Sequence, residues 1–105
     1  MLLAGCAAEG GAAGGFAAAA PAYGGRQQRI ALQFALERLP SGARAGWADP
    51  ARGLRGYFMP VATWRDASGH FCRRFRARVR SAAGVTETSG TACRRRSGYW
   101  MVIRG

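Results

Sequence analysis

Three short connectors constrain this chain more than any other feature. Asp66-Ala67-Ser68-Gly69, Ser81-Ala82-Ala83-Gly84 and Arg96-Ser97-Gly98 each hold glycine with small or polar residues at hairpin length. They separate four runs that read as strands, 57–65, 70–80, 85–95 and 99–104. Parallel strands need crossovers of about a dozen residues or more, so links this short predict an antiparallel meander. A fifth, shorter strand over 44–47 is predicted upstream, before a turn-rich stretch with Asp49-Pro50, Gly53 and Gly56.

One helix precedes the strands. In 26–39 the apolar residues Ile30 and Phe34, with Leu32, Leu36 and Leu39, recur at three- and four-residue steps. Pro40, Ser41 and Gly42 end it. Its apolar stripe needs a partner, most simply the sheet. The expectation is an α+β domain over 26–105, with one N-terminal helix packed on a four- to five-stranded antiparallel meander. Residues 1–25 are Ala/Gly-rich with one charge, Glu9. Such a stretch buries too little apolar surface to offset its ordering entropy, so it reads as a tether. No run of about 18 apolar residues encodes a spanning helix.

Charge then narrows the function. All 16 basic residues are arginine, against five acids, for a net charge of +11. Without lysine there is no Walker-type phosphate loop and no Schiff-base chemistry. The acids Glu9, Glu37, Asp49, Asp66 and Glu87 are scattered, which disfavours a paired-carboxylate site. The single histidine, His70, has no acid evidently placed to orient it, and reads as a turn-edge residue rather than half of a catalytic dyad. No cofactor or metal site is predicted. These features disfavour an enzyme and leave binding or anchoring. The run 70–80 alternates, with Phe71, Phe75, Ala77 and Val79 on one side. Arg74, Arg76, Arg78 and Arg80 lie on the other. That row is a solvated outer face or an arginine ladder aimed at phosphate or carboxylate groups. Trp47, Trp64 and Trp100 read as core or core-edge aromatics.

The cysteines carry two readings. A hairpin turning about residue 83 pairs residues whose numbers sum to about 165 or 166, and Cys72 with Cys93 meets that condition. They are a cross-strand disulfide in an oxidising compartment, or two unrelated buried thiols. Cys6 ends Leu3-Ala4-Gly5-Cys6, which looks like a bacterial lipobox. Cleavage there leaves Cys6 as an acylated first residue, and the leader such a site requires is expected upstream of Met1.

The stretch from Trp47 to Ile103 resembles the rickettsial-type 17-kilodalton surface antigens, an outer-membrane lipoprotein family. The resemblance rests on Trp47, Asp49-Pro50, Gly53, Gly56 and Pro60, then Gly69 and Cys72-Arg73-Arg74-Phe75. It continues through Gly90-Thr91-Ala92-Cys93-Arg94 and Gly98-Tyr99-Trp100. Two departures stand out. Arg74 replaces the family's usual acid, and the glycine-zipper segment of longer members is reduced to the Ala/Gly tether. The resemblance implies a non-enzymatic envelope lipoprotein held in the outer membrane by lipids on Cys6. The basic domain would meet anionic lipid or cell-wall polymers through Arg74, Arg76, Arg78 and Arg80. The alternative is a small Arg-rich nucleic-acid-binding module, with Phe71, Phe75, Tyr99 and Trp100 stacking on bases.

Overall fold

The computed structural model describes residues 24–104. Cys6 and nearly all of the 1–25 tether lie outside the described residues. The helix α1 (Arg26–Arg38) is followed by β1 (Ala45–Asp49), a single 3-10 turn at Pro50–Arg52, and β2 (Leu54–Arg65). Then come β3 (Phe71–Ser81), β4 (Gly84–Arg94) and β5 (Trp100–Arg104). The strands form one antiparallel sheet in the order β1-β2-β3-β4-β5. The α+β meander expected from the connectors is therefore the fold, in its five-stranded form. Glycine is needed at the turns: Gly69 and Gly98 sit at φ +86° and +95°, where a Cβ is strained.

One face of the sheet meets the helix, which touches β1, β2 and β5. Phe58, Phe75, Ala77, Ala92, Trp47 and Trp100 supply the sheet's share of the core. Phe58 and Phe75 meet edge to face at 6.0 Å between ring centroids. Phase explains how α1 packs, and here the expected stripe needs correction. At 100° per residue, Ile30 and Phe34 stand on the side of the helix opposite Leu32 and Leu36. Only one set can face the sheet. The buried set is Ala31, Leu32, Ala35 and Leu36, with Gln28, because the small alanines let the helix approach the strands closely. Ile30 and Phe34 are 54% and 51% exposed.

Two further aromatics depart from expectation. Trp64 is 42% exposed, because its register partner is Cys72, on the sheet face away from the helix. Phe71 lies on the core side of β3 but at its open end. It is 44% exposed there and stacks beneath the Arg65 guanidinium.

Cys72 and Cys93 face each other directly across β3 and β4 and are joined by a disulfide. Their separation of 21 residues makes the chain-entropy contribution about 3 kcal/mol. The paired substitution Cys72→Ser/Cys93→Ser is expected to cost about that much in urea unfolding, with the sheet's circular dichroism retained. Gly90 faces Phe75 on the core side. A Cβ there would lie 2.6 Å from Phe75 Cζ and 3.0 Å from the Arg104 carbonyl. Since the Phe75 ring is fully buried and cannot yield, Gly90→Ala should destabilise by about 1–3 kcal/mol in the same assay.

Candidate functional site

Strand alternation decides which arginines can meet a ligand. On β3, Arg73 shares the core side with Phe75 and Ala77 and is only 7% exposed. Its Nη1 donates to the carbonyls of Leu36 (2.8 Å) and Ala35 (3.3 Å), and its Nε donates to Thr63 Oγ1 (2.8 Å). Those carbonyls belong to the last turn of α1, where a cation also meets the negative end of the helix dipole. Burial pushes the Arg73 guanidinium below its usual range, yet arginine starts so high that it keeps its proton. Sequence reasoning missed this role, although the period-two position beside Phe75 carried the signal.

Every second residue from there points the other way. Arg74, Arg76, Arg78 and Arg80 therefore stand together on the outer face of the sheet, about 7 Å apart along the strand. Neighbouring strands add to them. Arg55 on β2 lies directly opposite Arg80, and Arg104 on β5 registers with Thr91, which faces Arg74. Glu87 lies opposite Arg78 on this face. It pairs with Arg78 at 3.5 Å. Among the described residues, Arg55, Arg74, Arg76 and Arg80 have no ion pair. At one end of the row Gly46 and Ala48 of β1 leave a shallow depression bordered by Arg55, Tyr57, Arg78 and Arg80. Arg44 stacks over the Tyr57 ring at 4.4 Å. At the other end, Trp64 and Met101 flank the disulfide in register.

Glu37 and Asp66 hold structure. Glu37 on α1 accepts hydrogen bonds from Arg94 Nε (2.9 Å) and Trp100 Nε1 (2.8 Å). Gln33 clips the same edge, donating to the Trp100 carbonyl at 2.7 Å and accepting from its N–H at 2.9 Å. Asp66 Oδ1 accepts from the backbone N–H groups of Ser68 and His70, closing the β2–β3 turn. His70 lies 3.8 Å from Asp66. Asp66, Cys72 and Cys93 cluster within 4.8 Å, but the two sulfurs bond each other and offer no thiolate to a metal. The aromatics of the nucleic-acid alternative do not assemble. Phe75 and Trp100 are buried, and Phe71 lies on the side opposite the arginine row.

These features define a small, disulfide-closed α+β module with a cationic outer sheet face. The chain belongs to the 17 kDa outer membrane surface antigen family, whose model matches residues 34–101. It is 36% identical over 78 residues to the 17 kDa surface antigen of Rickettsia prowazekii, covering 74% of this chain and 49% of that one. The Rickettsia conorii protein of the same name is 35% identical with the same coverage. That of Rickettsia bellii is 34% identical over 74 residues, covering 70% of this chain and 46% of its own length. The chain thus spans about half the length of the curated relatives it matches. No solved structure matches it.

Glu37 gives the site's scaffold a pH dependence. Hydrogen bonds from Arg94, then Trp100, hold its carboxyl below the ordinary value of 4.5. Its contribution is therefore complete above the ordinary value and is lost as pH falls through the folded one. Thermal midpoints should decline on acidification below about pH 4.5, and Glu37→Gln should flatten that limb. Added salt should shrink the difference, because the two side chains are 40% and 43% exposed.

Proposed function

We propose that this protein is a non-enzymatic outer-membrane lipoprotein, acylated at Cys6, whose arginine face binds anionic polymers of the cell envelope. The family name supports the envelope location. The disulfide supports an oxidising compartment. The Leu3-Ala4-Gly5-Cys6 sequence supports acylation, and several acyl chains on one cysteine make a stable anchor where one is marginal.

The observation that carries polymer binding is the pairing of Arg55 with Arg80. Like charges directly opposite on neighbouring strands cost stability, and here no acid among the described residues relieves them. A phosphate or carboxylate held between the two guanidiniums removes that repulsion and accepts bidentate hydrogen bonds. Arg76 and Arg74 continue the row along β3, so a linear polyanion can follow it. A single-stranded nucleic acid shares the charge, but two of the four aromatics expected to stack on its bases, Phe75 and Trp100, are in the core.

Two measurements test the reading separately. Intact mass of the membrane-fraction protein, expressed with its upstream reading frame in a Gram-negative host, should show a chain beginning at Cys6 with added acyl mass. Reduction should add about two mass units as the disulfide opens. A soluble chain beginning at Met1 overturns the anchor. In binding titrations with purified lipopolysaccharide, Arg55→Ser/Arg80→Ser should weaken affinity about tenfold and lower the salt dependence. Taken singly, Arg55→Ser and Arg80→Ser should each cost more affinity than Arg78→Ser, because Glu87 already neutralises Arg78. Equal effects from all three positions overturn the assignment of the pair.

A further inference from the structure

The helix face turned away from the sheet fits a different partner. Ile30 and Phe34 stand one turn apart on the solvent side of α1, each more than half exposed. A shallow groove runs from them to the edge strand β1, past Ala31, Arg44 and Gly46. Exposed cations of the helix surround the pair: Arg26, Arg29 and Arg38. The helix has one acid, Glu37, and its charge is already committed to Arg94 and the Trp100 indole.

From this juxtaposition we infer that the Ile30–Phe34 face of α1 docks on an anionic bilayer leaflet. Apolar side chains on a helix face, ringed by arginine, are what an interfacial helix presents. The apolar pair enters the acyl boundary, and each nearby arginine gains from the negative surface potential. A second copy of the chain is the poorer occupant. Self-pairing through this face would set Arg26, Arg29 and Arg38 against their own copies on a chain of net charge +11. The inference rests on the lipoprotein reading only for how the domain reaches the bilayer.

The test uses the full chain carrying Cys6→Ser, so that no acyl chain contributes. Flotation with vesicles of phosphatidylglycerol and phosphatidylethanolamine in equal parts should recover the protein, and phosphatidylcholine vesicles should not. Ile30→Ser/Phe34→Ser should reduce recovery at least about tenfold. Its thermal midpoint should stay unchanged, because both side chains are already exposed. Arg74→Ser/Arg76→Ser/Arg80→Ser should bind within about twofold of the parent. A paramagnetic lipid should broaden amide signals of α1 and spare β3. No flotation, or loss confined to the sheet variant, overturns the inference. So does a concentration-dependent dimer abolished by Ile30→Ser/Phe34→Ser without flotation. Neither the acyl mass nor lipopolysaccharide affinity enters this readout, so the earlier reading stands or falls independently.

Discussion

The structure turns on the buried guanidinium of Arg73. It reaches from the middle of the sheet to the last carbonyls of α1 and is held from the side by Thr63. A charge taken out of water is costly unless its donors are satisfied. Here two carbonyls at a helix C-terminus and one hydroxyl meet that need, and the helix dipole adds to it. The contact fixes both the position of α1 along the sheet and the inward side of β3. Once Arg73, Phe75 and Ala77 point inward, the pleat sends Arg74, Arg76, Arg78 and Arg80 outward. The cationic face is thus a geometric consequence of a buried cation.

The acids complete the division. Each acid among the described residues is engaged close to home: Glu37 with Arg94, Asp49 with Arg52, Asp66 with its turn and His70, and Glu87 with Arg78. None is left for Arg55, Arg74, Arg76 or Arg80. Repulsion along that row favours opening the β2–β3–β4 surface. The disulfide at its far end opposes this by shortening the reach of the unfolded chain. A domain of this size has little core to spare, so a covalent closure and an external anion act in the same direction.

Much of this was legible in the residues. The hairpin connectors gave the meander because their length leaves no other way to join strands. The two cysteines gave the β3–β4 register because facing residues in a hairpin have a constant number sum. Other features depended on tertiary context. The helix carried apolar residues on two opposite sides, and periodicity alone could not choose between Ile30 with Phe34 and Leu32 with Leu36. Ala31 and Ala35 decided it through close approach, which a hydrophobicity pattern underweights. Trp64 sits next to a buried disulfide yet outside the core, because it shares the disulfide's outward face. Arg73 was hidden at the head of four arginines that alternate after it, and only the helix terminus above it distinguishes its environment.

The two faces imply a division of labour that neither makes alone. The sheet stands between Ile30 and Phe34 on one side and the arginine row on the other. With the helix seated on a leaflet, the arginines are directed away from that leaflet and toward whatever polymer lies beyond it. If instead the arginine row lay on the leaflet, Ile30 and Phe34 would face water with no partner. That is the less favourable arrangement, because exposed apolar surface gains from burial while a guanidinium row is well hydrated. The chain enters the domain at the start of α1, so the anchor proposed at Cys6 would tether the helix side first. Under the two proposals, topology, burial and charge favour one orientation, with α1 toward the leaflet and the arginine row toward the anionic polymer.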